Sequence, residues 1–116
     1  MIKVEIELDR QKIIDDGKYI PESILECMDD AFLRRGQQIL EADGFRRVYR
    51  DSGNIEKDFA ILGGIVVDFA DEDWFLPYAT KILWYENEDD DDENDFNVED
   101  WLEGFKKKRK HSSKDI

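Results

Sequence analysis

The sequence predicts a small single-domain α+β protein, mostly helical, with about four helices and a short two-stranded sheet drawn from the N-terminal half. Three observations carry that expectation. Lys3-Val4-Glu5-Ile6-Glu7-Leu8 alternates polar and apolar residues, the period of a half-buried strand. Longer stretches downstream repeat apolar residues at spacings of three and four, the period of a helix with one buried face. The 116 residues are 41% apolar and include three Trp, seven Phe and four Tyr, enough for one core.

Each element follows from local chemistry. The first strand turns Val4, Ile6 and Leu8 to one side. Asp15-Asp16-Gly17 is a turn signal, and Pro21 suits the first position of a helix whose apolar residues are Ile24, Leu25, Met28, Phe32 and Leu33. Arg34 and Arg35 complement that helix's dipole and Gly36 can cap its end. Gly44 to Arg50, between Asp43-Gly44 and Ser52-Gly53, reads as a second strand pairing with the first across the helical crossover.

Between Ile55 and Ala70, Ile55, Phe59, Leu62, Val66 and Phe69 recur near helical spacing. Gly63-Gly64 and the β-branched run Ile65-Val66-Val67 suit strands as well; helix is the reading adopted here. Each glycine then costs about 1 kcal/mol relative to Ala and calls for close packing against a neighbour. Asp73 can cap a third long helix with a stripe of Trp74, Phe75, Tyr78, Ala79, Ile82, Leu83 and Tyr85, and Pro77 falls near its first turn. Asn97, with Asp100 three residues on, can cap a last helix carrying Val98, Trp101, Leu102 and Phe105 on its core face.

The expected organisation is one compact domain over 1–105, with a mobile acidic loop at 86–96 and a basic, disordered tail at 106–116. Glu86 to Asp95 has almost no apolar side chain with which to offset its ordering entropy.

Charge is the most informative property of this chain. The net charge is −13, divided as −7 over 1–85, −11 over 86–105 and +5 over 106–116. Glu86 to Phe105 contains eleven carboxylates and no Lys or Arg, and Lys106-Lys107-Lys108-Arg109-Lys110 follows at once. Consecutive charges lie within the Debye length of roughly 8 Å and act on a partner together. Such a run repels a phosphate backbone and attracts a protein groove built to hold one. The basic run reads most simply as a lysine-rich helix end; read alone, it would also suit a nuclear-localisation signal or a nucleic-acid arm.

Other function classes find little support. The lone Cys27 excludes an internal disulfide, the N-terminus has no apolar signal core, and the best apolar run, Phe59 to Val67, falls short of the roughly 18 residues of a membrane span. A cytoplasmic protein with no membrane partner is expected. Catalysis lacks its parts: His111 is the only histidine and lies beside Ser112 and Ser113 in the tail, Cys27 has an acidic neighbour in Glu26, and Gly63-Gly64 lacks a phosphate loop's Lys-Ser/Thr. No enzyme activity, cofactor or metal site is assigned.

An EF-hand-like register would set Asp89, Asp91, Glu93, Asp95, Asn97 and Asp100 at ligand positions with Phe96 at the apolar one. Asn94 then replaces the turn glycine, and Asp100 replaces the bidentate Glu. For a protein partner, Glu86, Glu88, Asp89, Asp90, Asp91, Asp92, Glu93, Asp95 and Asp100 would carry the charge, with Trp84 or Phe96 as the apolar anchor.

Asp73-Trp74-Phe75, Leu83-Trp84-Tyr85 and Asp95-Phe96-Asn97-Val98-Glu99-Asp100 resemble a group of small acidic hypothetical accessory proteins of integrative and conjugative mobile elements of Gram-positive bacteria. The resemblance covers mainly residues 55–105 and brings no catalytic or ligand motif. It implies an accessory role in mobile-element biology, a setting in which small acidic proteins include inhibitors of nucleic-acid-directed host defences.

The expected function is therefore a non-enzymatic acidic protein-binding module, of the DNA-mimic type, acting on a nucleic-acid-binding protein without binding nucleic acid itself. The alternatives are a small structural or regulatory subunit docking through its aromatic face, or a divalent-cation-binding helix-loop-helix module.

Overall fold

The alternation at the N-terminus sets the centre of the fold. In the computed structural model, which describes residues 1–53, 55–86 and 97–114 with the side chains of 55–58 and 108–114 excepted, β1 (Ile2–Leu8) buries Ile2, Val4, Ile6 and Leu8. It pairs antiparallel with β3 (Arg46–Arg50) on one side and β4 (Ala79–Glu86) on the other. The edges are β2 (Gln38–Asp43), beside β3, and β5 (Asn97–Asp100), beside β4, so the sheet runs β2-β3-β1-β4-β5. Among the described residues there are also four helices: α1 (Arg10–Asp16), α2 (Pro21–Leu33), α3 (Ile55–Ala70) and α4 (Trp101–Lys114). The first four strands take the order of the split β-α-β, or ferredoxin-like, arrangement, with two helices, α1 and α2, in the first crossover and with β5 and α4 appended.

This corrects the expected architecture. The protein is α+β, but its sheet has five strands instead of two and the chain is not mostly helical. The largest revision falls at 73–85, where a turn ending near Tyr78 leads into β4 instead of a helix. Ile82 and Trp84 are buried while Lys81, Leu83 and Tyr85 between them are half-buried, a period of two that the three-and-four spacing had imitated. Pro77 disfavours helical backbone at Leu76, and Thr80, Ile82, Trp84 and Tyr85 are strand formers.

Two elements were not expected. α1 occupies the stretch before Gly17: the Asp9 carboxylate accepts from the Lys12 backbone N–H at 3.1 Å, and Gly17 ends the helix at φ 65°. β2 has no apolar alternation because it is an exposed edge, and an irregularity between Ile39 and Glu41 puts Ile39 and Leu40 side by side. The last helix begins three residues later than expected. Asn97 to Asp100 form β5, and Asp100 accepts from the Glu103 backbone N–H at 3.1 Å, so Asp100 and Glu103 occupy the capping positions assigned to Asn97 and Asp100.

All four helices belong to one side of the sheet. Val4 lies opposite both Tyr49 and Trp84, and Ile6 opposite Ile82, so these side chains share a face. That face packs Met28 and Phe32 of α2, Leu62, Ile65, Val66 and Phe69 of α3, and Leu102 of α4 into one core. Phe32 stacks on Tyr49 with ring centroids 3.8 Å apart, and the Tyr49 hydroxyl donates to Asp29 at 2.6 Å. Among the described residues the opposite face carries no helix, and the charged residues of β1 and β3 project there.

Candidate protein-binding surfaces

Among the described residues three surfaces stand out, and the fold builds each differently. The first surrounds the acidic run. Glu86 ends β4 and pairs with Asn97 at the start of β5, so the run's flanks are neighbouring antiparallel strands. The flanking helices of a helix-loop-helix cation site are thus absent: a strand precedes the segment and another follows it. Glu88, Asp89, Asp90, Asp91, Asp92, Glu93, Asp95 and Phe96 lie outside the described residues. Among the described residues no group of three or more His, Cys, Asp or Glu side chains is arranged to hold a metal ion.

The described ends of the run are tied to tryptophans. Trp84 Nε1 donates to Glu86 at 2.8 Å, and Trp101 Nε1 donates to Glu99 at 2.9 Å. The two indoles stack with centroids 4.3 Å apart and planes 2° from parallel. Trp84 is therefore a core residue, only 2% exposed, and offers no exposed ring to a partner; this corrects its assignment as an anchor. No local sequence signal shows this, because Leu83 and Tyr85 on either side of it are apolar as well. All four residues of β5 are exposed, so Glu99 and Asp100 remain available on the sheet edge.

The second surface is the open face of the sheet. Lys3, Glu5 and Glu7 of β1 project there beside Arg46, Val48 and Arg50 of β3 and Lys81, Leu83 and Tyr85 of β4. Glu5 is its buried centre. Its carboxylate accepts from Arg46 Nε and from the Tyr85 hydroxyl at 3.0 Å, with Lys81 Nζ at 3.8 Å. Burial pushes its pKa up, but the hydrogen bonds from Arg46 and Tyr85 and the charges of Arg46 and Lys81 outweigh this and leave it below the ordinary carboxylate value. The same contact holds Arg46 protonated more firmly, and burial together with Glu5 raises the Tyr85 phenol. Sheets of this connectivity that read RNA stack bases on aromatic side chains of the middle strands. Here β1 and β3 present charge and Val48 to that face, and no aromatic ring.

The third surface is an apolar cleft of about 510 Å³ between α3 and α4, lined by Val67, Trp101, Gly104 and Phe105 with Glu99 and Asp100 at one end. Sequence reasoning assigned Trp101 and Phe105 to the core. Both pack against it, yet they are only half-buried, and Val67 is 48% exposed. Spacing alone does not reveal such a cleft, because it depends on how far α4, seated over β4, stands from α3. Close packing explains one of the paired glycines: a Cβ on Gly63 would lie 3.5 Å from Trp101 and 3.6 Å from Trp84, whereas one on Gly64 would meet nothing within 4 Å.

Cys27 is exposed on α2 in a shallow groove with Ser23, Glu26, Asp30 and Arg34. The side chains of His111, Ser112 and Ser113 lie outside the described residues, although α4 includes their backbone. Among the described residues no helix is long and apolar enough to cross a membrane. No protein-family model matches the chain, and no curated protein or solved structure matches it either.

Proposed function

We propose that this protein is a non-enzymatic binding module whose acidic surface occupies a basic groove of a nucleic-acid-binding protein, as a mimic of DNA. The observation that supports this most is the setting of the acidic run. Both ends of residues 87–96, which hold seven carboxylates, are anchored to adjacent strands of one sheet, and β5 adds the exposed Glu99 and Asp100. Charge tethered to a rigid scaffold loses less entropy on binding than charge on a free tail. It also steers encounter with a basic surface.

Two further points favour a protein partner over nucleic acid itself. The net charge of −13 repels phosphate, and on the open sheet face β1 and β3 present no aromatic ring for stacking, while Tyr85 of β4 is engaged by Glu5. The resemblance of residues 55–105 to accessory proteins of mobile elements would make the partner a nucleic-acid-directed host defence, with the protein acting as its inhibitor.

The test is affinity capture from native lysate on immobilised wild-type protein and on a variant carrying Asp89→Asn, Asp90→Asn, Asp91→Asn and Asp92→Asn. Nucleic-acid-binding proteins should elute from the wild type between low and moderate salt and be depleted from the variant. Equal recovery on both would rule out the acidic run as the recognition element.

A further inference from the structure

The cleft between α3 and α4 combines an apolar floor with charge of one sign. Val67 is exposed in it, and Trp101 and Phe105 are half-buried. Phe59, also exposed, lies two turns before Val67 on the same side of α3, and Gly63 between them faces Trp101. The apolar strip on α3 therefore runs about 12 Å, the rise of two helical turns. Gly104 lies in the interior of α4 without a left-handed backbone, and a Cβ there would meet nothing within 4 Å among the described residues. Its missing side chain leaves room for another backbone to approach. Glu99 and Asp100 line one end, and among the described residues no Lys or Arg lines the cleft. Each carboxylate accepts one hydrogen bond within the chain, Glu99 through Oε2 from the Trp101 indole and Asp100 through Oδ1 from the Glu103 backbone N–H. Both donors are neutral, so neither charge is cancelled, and Glu99 Oε1 and Asp100 Oδ2 keep their acceptor capacity. Among the described residues neither carboxylate has an ion-pair partner; Glu103 and Lys107 pair with each other at 3.3 Å and do not line the cleft.

We propose that the cleft binds an amphipathic helix of a partner protein, apolar on the face that enters it and basic along the edge beside Glu99 and Asp100. Apolar side chains one and two turns apart on such a helix follow the strip from Val67 to Phe59, the helix-in-groove mode of recognition. Lys or Arg next to that face meets both uncompensated carboxylates, whereas an acidic helix with the same apolar face is repelled by them. A second copy of this chain, at a net charge of −13, is opposed by its own charge. The site is distinct from residues 87–96 and stands whether or not those mimic DNA.

The test is fluorescence anisotropy of a labelled synthetic Leu/Lys amphipathic helix titrated with the full chain. Two control peptides have the leucines replaced by alanine or the lysines by glutamate, and each should bind about tenfold or more weakly. Gly104→Met fills the cleft without removing any charge and improves helix propensity; it should weaken binding of the Leu/Lys peptide about tenfold. Glu99→Gln/Asp100→Asn keeps an acceptor for both internal hydrogen bonds while removing both charges, and should weaken it about three- to tenfold. Far-UV circular dichroism checks that the variants fold. Equal binding to wild type and Gly104→Met would show that surface charge alone holds the peptide and would overturn the proposal. So would equal binding of the Lys and Glu peptides, or a wild-type dimer in sedimentation equilibrium that Gly104→Met separates, since a second copy would then cover the cleft.

Discussion

Replacing Trp84 by alanine separates a core indole from a surface anchor by the size of the stability loss. The side chain is 2% exposed, so its removal carries the roughly 3–5 kcal/mol typical of buried Trp or Phe truncated to Ala. Within that cost fall the stack on Trp101 at 4.3 Å and the edge contact with Phe59 at 5.5 Å, each worth about 0.5–1.5 kcal/mol beyond burial. The lost N–H donation to Glu86 is worth about 1 kcal/mol. A domain of ordinary stability has about 5–15 kcal/mol in total, so Trp84→Ala should forfeit a large share of it, whereas Trp84→Phe should lose about 1–2 kcal/mol. Urea unfolding followed by far-UV circular dichroism is the suitable assay, because tryptophan fluorescence changes with the substitution itself. The midpoint should fall with an unchanged slope. A loss under about 0.5 kcal/mol for Trp84→Ala, the range of ordinary surface substitutions, would refute the packing described here.

Gly64→Ala should stabilise the protein by about 0.5–1 kcal/mol, since α3 gains helix propensity and the new methyl meets nothing; an equal loss in the same unfolding assay would contradict that local geometry. Glu5→Gln should cost about 1–3 kcal/mol at neutral pH by weakening the contacts with Arg46, Tyr85 and Lys81. Because the folded-state pKa of Glu5 is lowered, its contribution is fully present above the ordinary value of 4.5 and is lost as pH falls below it. Wild type and Glu5→Gln should therefore converge in stability toward low pH, and a gap that persists there would be evidence against the network. Tyr49, buried and donating to Asp29, has its pKa raised, so its absorbance should not titrate in the range of a free phenol while the fold persists; Tyr49→Phe should cost about 1–2 kcal/mol. Asp100→Ala should lose about 1 kcal/mol with its cap on α4, measurable in the same unfolding assay.

Elements whose pattern has one reading were legible in the sequence. β1 alternates cleanly, and Pro21 stands at the first position of α2 as its chemistry requires. The pairing of β3 with β1 also followed, because turn residues bracket it on both sides. β4 was misread because its aromatic and aliphatic residues satisfy two periods at once. Its half-buried neighbours Leu83 and Tyr85 are themselves apolar, so polarity does not break the tie. β2 was missed for the opposite reason: an acidic, mostly exposed edge carries no hydrophobic period. Glu41 and Asp43 on that edge, like Glu99 and Asp100 on β5, discourage unwanted strand pairing.

The acidic run was legible as charge, but its mounting was not. Whether strands or helices flank 87–96 depends on the pairing of Glu86 with Asn97, a contact that no local pattern specifies. The same holds for Glu5, whose place at the centre of the open face arises only once β3 and β4 lie on either side of β1.

The most direct measurement is competition between this protein and DNA for one captured partner, read by fluorescence anisotropy of a labelled duplex. Wild-type protein should displace the duplex, with an apparent affinity that falls steeply as salt rises, and the Asp89–Asp92 variant should displace it poorly. A ternary complex of partner, duplex and protein, or equal displacement by wild type and variant, would contradict the proposed mimicry.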